Sequence, residues 1–289
     1  AAYLSNDGKP LLATLAIVFS GIFNVAGDFI FVFVFKMGML GAGLATGIGS
    51  FVSLIIMLVH FFTKSNTLKF KWKNTIFALF FSIAKNGFSA FIVDIAMGFL
   101  TMIFNNLILK YLNSDALAVY AVIVNISTIV QCCGYGIGQA GQPILSTNFG
   151  SRQYDRVSLT LKYTIVTSLI VGLIWMGIAM IFPNVLIKIF MSPTDSVLAI
   201  APKIIRVYSI SFLILPFNVF STYYFQALLK EKVAIAISLG RGIVLSGIIL
   251  VLLAIVFGGD AMWWTMVVTE SLVAIFAIIL MIKTQKSLK

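Results

Sequence analysis

Eight long apolar runs constrain this chain more than any other feature of its sequence. Each holds about 20 residues or more, enough for a helix to cross the hydrocarbon core of a bilayer. The runs are far longer than a barrel strand of about ten residues and do not alternate in polarity, so strands are not favoured. The sequence therefore predicts an all-α polytopic membrane protein with eight transmembrane helices, at Leu11–Phe35, Met39–Phe62, Asn86–Leu112, Asp115–Thr147, Leu159–Phe182, Ser196–Leu229, Val233–Phe257 and Met262–Ile282.

The composition excludes the common soluble classes. Of the 289 residues, 61% are hydrophobic and only 10% are charged. A soluble domain has about 25% charged residues, so a cytosolic enzyme, a disordered chain and a disulfide scaffold are all excluded. The net charge of +11 does not indicate nucleic-acid binding, because Lys and Arg lie in short clusters between the apolar runs.

The basic residues instead predict the orientation of the chain in the membrane. With eight spans, both ends of the chain lie on the same side, and that side carries fourteen of the twenty Lys and Arg residues. The positive-inside rule therefore places both ends in the cytoplasm. The fourteen are Lys9, Lys64, Lys69, Lys71, Lys73, Lys85, Arg152, Arg156, Lys162, Lys230, Lys232, Lys283, Lys286 and Lys289.

One connection between spans is long enough to divide the chain. Residues 63–85 contain Lys69, Lys71 and Lys73 alternating with Phe70 and Trp72, a pattern that suits a membrane interface. This cytoplasmic amphipathic connector separates a two-helix part, residues 1–62, from a six-helix part, residues 86–289. The first four residues look like the end of a helix, so we expect further residues upstream.

Three acidic residues lie at membrane depth, where a charge is costly and therefore marks a functional candidate. Asn24 and Asp28 are four residues apart and share a helix face. Counting from the helix ends places Thr46 at the same depth as Asp28, roughly 10 Å below the outer surface. An amide, a carboxylate and a hydroxyl at one depth predict a site for Na+ or a proton. The alternative is a structural hydrogen bond between the two helices.

The other two acids are Asp94 and Glu270, for which we predict attraction of a cationic substrate or a second cation. For Glu270 the alternative is an ion pair with Arg241 on the preceding helix. No constellation of acid, base and nucleophile is readable, so we expect neither an enzyme nor a cofactor beyond bound Na+ or H+. The G-x-G-x-x-G pattern of Gly136, Gly138 and Gly141 follows no strand; in a membrane helix such glycines permit close backbone approach.

Several motifs resemble one family, the multidrug and toxic compound extrusion (MATE) transporters. They follow the family's order across essentially the whole chain. They are Asn24-x-x-x-Asp28 with Gly38-x-x-Gly41-Ala-Gly-Leu-Ala-Thr46, Gly138-Gln-Ala-Gly-Gln-Pro-Ile-Leu-Ser-Thr-Asn-Phe-Gly150 with Arg152 and Arg156, Phe225-Gln-Ala-Leu-Leu-Lys230 with Arg241, and Gly259 through Trp263 to Glu270.

The resemblance implies a protein of twelve helices in two six-helix bundles around a central cavity, of which this chain would hold helices five to twelve. It implies an antiporter in a bacterial-type plasma membrane, exporting cationic amphipathic compounds in exchange for Na+ or H+. Asn24, Asp28 and Thr46 match the family's amino-terminal cation or proton site, and Asp94 matches an acidic position on its seventh helix. The expected partners are the small-molecule substrate and membrane lipid, with no nucleic acid and no obligatory protein partner.

Two other functions stay open. A lipid-linked oligosaccharide flippase resembles these exporters in architecture, but it handles a pyrophosphate and should line its cavity with basic residues. A non-transporting membrane subunit would need no buried acids. The coupling ion also stays open, because Ser196–Leu229 carries no acid where some Na+-coupled members of the family place one.

Overall fold

The computed structural model describes residues 9–63 and 98–288, together with Leu4, Asp7, Asn66 and Ile95. Every regular element within them is helical, which confirms the all-α prediction. Of the third predicted span, Asn86–Leu112, these residues include a helix at 98–111. Seven helical stretches are long and apolar enough to cross a membrane: Leu11–Val34, Gly38–Phe62, Ser114–Gly150, Tyr154–Ile181, Asp195–Ala227, Glu231–Phe257 and Gly259–Leu288.

The chain forms two compact units, Ala1–Leu79 and Phe80–Lys289. The predicted connector, residues 63–85, lies outside the described residues apart from Thr63 and Asn66. The proposed partition at that connector therefore stays a prediction.

The first unit is a pair of closely packed helices. Helix α1, Pro10–Asp28, continues as a π-helical turn, Phe29–Val34. Helix α2, Gly38–Leu58, continues as a short 3₁₀ turn, Val59–Phe62.

Small residues bring these two helices together. Gly41, Ala45 and Gly49 form the buried face of α2. A Cβ atom on Gly27 of α1 would lie 2.9 Å from the Ala45 Cβ, and one on Gly49 would lie 2.8 Å from the backbone oxygen of Ser20. Both distances are shorter than ordinary van der Waals contact, so glycine is required for the backbones to approach this closely.

The second unit contains nine helices in the part of the chain that the structure describes. Its turns include a 3₁₀ segment at Ile210–Leu213, a π-helical turn at Gly240–Val244 and a 3₁₀ segment at Gly259–Trp264. The helices are α3 (98–111), α4 (Ser114–Gly150), α5 (Tyr154–Ile181), α6 (Pro183–Phe190), α7 (Asp195–Ser209), α8 (Leu215–Ala227), α9 (Glu231–Leu239), α10 (Leu245–Phe257) and α11 (Thr265–Leu288).

Two prolines inside the predicted spans have different effects. Pro143 lies within α4, which remains a single helix through Gly150. Pro216 occupies the first turn of α8, where a missing N–H costs nothing. The predicted run Ser196–Leu229 is therefore broken into α7, a 3₁₀ segment and α8.

Apolar side chains fill the interior of the second unit and also cover the surface of the spans, which accounts for the high hydropathy of the chain. Aromatic rings form its centre: Phe104 stacks on Tyr120 with ring centroids 4.8 Å apart, and Tyr120 lies 6.4 Å from Trp263. A second buried cluster includes Phe220 and Tyr224. Outside these clusters, large apolar side chains are exposed along the spans of both units. Such surfaces are favourable only against lipid or against other apolar helices.

Candidate functional site

The predicted membrane-depth acids fall into separate places. Asp28 belongs to the first unit and Glu270 to the second. Asp94 lies outside the described residues, so its predicted role is not tested. We describe each site within its own unit.

In the first unit, α1 and α2 bring two of the predicted site residues together. The Asn24 side-chain amide donates a hydrogen bond of 3.1 Å to the Thr46 hydroxyl. The Thr46 hydroxyl in turn donates to the backbone oxygen of Ala42 at 3.0 Å. A Cβ added at Gly49 would lie only 3.3 Å from the Asn24 Cβ. The two helices therefore pack closely at Gly49, which allows this contact. Counting residues from the helix ends predicted Asp28 and Thr46 at one depth, whereas the hydrogen bond joins Asn24 to Thr46 and is the interhelical bond that the sequence left open as the alternative.

Asp28, the third residue of the predicted site, makes no hydrogen bond to Asn24 or Thr46. It is the last residue of α1, and the π-helical turn Phe29–Val34 begins directly after it. Its Oδ1 atom is buried and has no hydrogen-bond partner among the described residues. A buried carboxylate oxygen without a donor is costly in an apolar environment. Such an atom suits occupation by a proton or a cation.

In the second unit, a cavity of about 920 Å³ opens among α3, α4, α7, α8, α9, α11 and the π-helical turn. Its volume is in the range that holds a drug-sized molecule. The wall combines apolar and aromatic side chains with a smaller number of polar groups. The polar and aromatic lining consists of Thr101, Phe104, Tyr120, Ser127, Thr128, Gln131, Tyr135, Gln142, Tyr208, Thr222, Tyr223, Gln226, Glu231, Ser238, Arg241 and Glu270.

The largest share of the polar lining from any one helix comes from α4 and was missed at the level of the sequence. Ser127, Gln131 and Tyr135 are spaced four residues apart on one face of that helix, and all three line the cavity. The Gln131 amide donates to the Tyr135 hydroxyl at 2.6 Å. The signal was available, because polar residues at helical spacing inside an apolar run mark a face turned away from lipid.

Glu270 also lines this cavity, but its charge is fully compensated. Its side chain is 0% exposed, and Arg241 is 12% exposed. Arg241 Nη2 donates to Oε1 at 2.9 Å, and Arg241 Nε lies 3.1 Å from each carboxylate oxygen. The Asn218 amide donates to Oε2 and to the Glu270 backbone oxygen. The ion pair with Arg241, left open by the sequence, is therefore present, while a substrate role for Glu270 stays a prediction.

Glu231 is the other acid on the cavity wall. It is exposed at the start of α9 and has no ion-pair or hydrogen-bond partner among the described residues. Ten residues of helix separate it from Arg241, a rise of about 15 Å. The cavity wall thus carries an uncompensated carboxylate near one end and a paired guanidinium well away from it.

Comparison with known proteins identifies relatives across most of the chain. The family model MatE matches residues 89–253. The multidrug export protein MepA of Staphylococcus haemolyticus is 24% identical over 272 residues, covering 93% of this chain and 59% of that protein. The MepA protein of Staphylococcus saprophyticus is 24% identical over 275 residues, covering 94% of this chain and 60% of that protein. The chain therefore spans about 60% of the length of these curated relatives.

Solved structures share the fold. A multidrug resistance MATE family transporter of the MOP superfamily in an outward-facing conformation superposes with a TM-score of 0.84 at 16% identity, over 95% of this chain and 62% of that one. A crystal structure of MATE in the straight conformation gives a TM-score of 0.86 at 17% identity, over 99% of this chain and 65% of that one. At this identity the match establishes a shared fold.

Proposed function

The chain belongs to the MatE family, and on that premise we propose that it carries a coupling site and a cargo cavity of a cation-coupled multidrug exporter. Membership of a transporter family confirms the prediction that the chain is not an enzyme. More specifically, we propose an antiporter in a bacterial plasma membrane that exports cationic amphipathic compounds in exchange for Na+ or H+. The curated relatives are multidrug export proteins, which supports this direction of transport.

The buried, unpartnered Oδ1 atom of Asp28 is the observation that carries the proposal. It lies one helical turn from Asn24, whose amide is held by Thr46. Carboxylate, amide and hydroxyl oxygens are the ligands that a hard cation prefers, and a bound proton would likewise neutralise the carboxylate. Either occupant would remove the cost of the lone oxygen. We propose Asp28 as the coupling residue and Asn24 and Thr46 as its supporting ligands.

The cavity of the second unit is the proposed cargo site. Its aromatic wall and its volume of about 920 Å³ suit an amphipathic molecule. Glu231 supplies a carboxylate that attracts a cationic group. Among the described lining residues Arg241 is the one basic group, and Glu270 already balances its charge. Such a wall does not suit a lipid-linked pyrophosphate, which would require several uncompensated basic residues.

Coupling requires that ion and cargo prefer different conformations of the protein. A ligand shifts a conformational equilibrium only by its difference in affinity for the two states. In the proposed mechanism, ion binding at Asp28 favours one state and cargo in the cavity favours the other. The ion gradient then drives net export of the cargo.

Export of ethidium by the protein reconstituted in liposomes tests the proposal. We expect an imposed Na+ or H+ gradient to drive uphill ethidium transport, and the effective gradient identifies the ion. Asp28→Asn removes the charge while keeping the shape, so gradient-driven transport should fall to the level of empty liposomes. Asp195→Asn, at the exposed start of α7, is the matched control and should transport normally. Normal uphill transport by Asp28→Asn would refute the coupling role.

A further inference from the structure

The carboxylate of Glu270 has no free position for a ligand. Arg241 Nε and Nη2 bind Oε1, and Arg241 Nε together with the Asn218 amide binds Oε2. Each oxygen therefore already accepts two hydrogen bonds, which fills the geometry that a carboxylate oxygen offers. A cation reaches Glu270 only by displacing a bidentate guanidinium from a buried site, which is unfavourable.

The guanidinium of Arg241, in contrast, has donors to spare. An arginine carries five N–H donors, and those on Nη1 have no partner among the described residues. The side chain of Arg241 is only 12% exposed and lines the cavity, but Nη1 is not among the buried polar atoms that lack a hydrogen-bond partner. Nη1 is therefore not buried. These unused donors are thus accessible from the cavity, on the edge of the fork that faces away from Glu270.

Two features hold this donor edge in a fixed position. The ion pair with Glu270 orients the guanidinium plane, and Asn218 anchors Glu270 through both its carboxylate and its backbone oxygen. Arg241 itself lies in the π-helical turn Gly240–Val244, whose geometry differs from that of the α-helices on either side. π-helical turns inside longer helices are frequently found at functional sites.

We propose that Arg241 forms an acceptor subsite of the cavity, which binds a carboxylate group of the cargo through the free edge of its guanidinium. A planar carboxylate matches the planar fork of an arginine, and the low-dielectric wall strengthens such hydrogen bonds. Glu231 lies about 15 Å away along the helix, and because the Coulomb energy falls with distance its repulsion of the carboxylate is far weaker than that of a charge in contact. The subsite deepens the proposed function, because it specifies which chemical group of a cargo binds at this end of the cavity.

Two fluorescent probes that share one dansyl ring system separate this subsite from general binding. Dansylglycine presents a carboxylate, and dansylcadaverine presents an ammonium group. Each is titrated against the purified protein in lipid nanodiscs, with empty nanodiscs as the blank. This measurement needs no ion gradient, so a failure of coupled transport leaves the result interpretable.

Two variants retain a balanced pair at the site while removing the arginine fork. Arg241→Lys preserves the charge balance with Glu270 but presents a single ammonium in place of the fork. The double variant Arg241→Gln with Glu270→Gln replaces the ion pair by neutral amides of similar size. In both variants we expect dansylglycine to bind about tenfold more weakly, which is a loss of about 1.4 kcal/mol of binding free energy. The affinity for dansylcadaverine should change less than about twofold.

Lys188→Gln is the control, because Lys188 is an exposed basic residue of α6 outside the cavity lining, and it should leave dansylglycine binding unchanged. Absence of dansylglycine binding to the unmodified protein would overturn the subsite. So would unchanged dansylglycine affinity in both Arg241 variants, or an equal loss of both probes. Selective loss of dansylglycine in both variants supports it, because a purely structural role for the pair would not distinguish the probes.

Discussion

Glu270 illustrates how a carboxylate is retained inside a membrane protein. The residue is fully buried, yet each of its charged oxygens is bound by donors from Arg241 and Asn218. Removing one partner from such a pair leaves the other charge buried without compensation, which costs far more than the pair itself contributes. The pair is therefore sensitive to single substitutions and tolerant of a balanced double substitution.

A double-mutant cycle tests this property of the pair. Glu270→Gln alone should lower the free energy of unfolding by about 3 kcal/mol, because the guanidinium of Arg241 loses its counter-charge. Combining it with Arg241→Gln should restore most of the loss. The measurement is denaturant unfolding in detergent, and the coupling energy should exceed about 1 kcal/mol. Additive effects of the two substitutions would contradict the ion pair.

At the residue scale, the sequence was most informative where distance could be counted along a helix. Counting predicted that Asp28 and Thr46 lie at one depth, and the structure instead joins Thr46 to Asn24, one helical turn before Asp28. It could not choose between a cation site and an ion pair for Glu270, because the side-chain direction of Arg241 depends on the local π-helical turn. The polar face of α4 at Ser127 and Gln131 was missed, although its helical spacing is visible in the sequence, and the cavity itself requires several helices to be assembled.

At the scale of the elements, glycine decides where helices approach closely. Gly172 on α5 faces the backbone of the 3₁₀ segment Ile210–Leu213, and an added Cβ would lie 2.8 Å from the Phe212 oxygen and closer still to Leu213. Backbone atoms cannot rotate away as a flexible side chain can. The contact between α5 and this segment therefore depends on the missing side chain.

Two glycines on the same helix allow a controlled test. Gly172→Ala should destabilise the protein by about 1–3 kcal/mol, because the two backbones must separate. Gly177→Ala is the control, since its Cβ would meet nothing within 4 Å. That change should be neutral or stabilising by less than about 1 kcal/mol, as alanine is the better helix former. Equal melting temperatures for the two variants in detergent would contradict the close packing at Gly172.

The glycines of the G-x-G-x-x-G pattern show which local features of the helices could be predicted from the sequence and which could not. The prediction was close backbone approach, but at Gly138 an added Cβ would overlap the side-chain ring of Tyr223, and at Gly136 it would meet open space. The π-helical turns after Asp28 and around Arg241 were not predicted, because one extra residue in a turn leaves no compositional mark. The short helix α6 was also missed, since eight residues are too few for a membrane span.

At the scale of the whole molecule, span prediction succeeded because lipid imposes a simple length requirement. Each apolar run must satisfy its backbone hydrogen bonds internally and cross about 30 Å of hydrocarbon. Seven of the eight predicted spans have counterparts among the described residues. The boundaries shifted where polar residues extend a helix beyond its apolar run, as at Tyr154, where α5 begins five residues before the predicted span.

The two ends of the second unit differ in charge. At one end, Arg152 and Arg156 share a surface depression with Leu288, and the Lys230 ammonium donates to Thr284 at 2.7 Å. These contacts place two basic loops beside the end of α11. At the other end, Lys203 is paired with Asp260, which cancels its charge. The excess of positive charge therefore lies at the end that carries Leu288, and the positive-inside rule predicts that this end faces the cytoplasm.

Cysteine labelling tests this orientation directly. The native Cys132 and Cys133 are first replaced by alanine, and single cysteines are then introduced as Ser151→Cys at the basic end and Ser192→Cys between α6 and α7. Both serines are exposed. In intact cells a membrane-impermeant maleimide should label Ser192→Cys alone, and permeabilised cells should add Ser151→Cys. The reverse pattern would invert the topology and place the fourteen basic residues outside, against the charge rule that orients the other membrane helices of the cell.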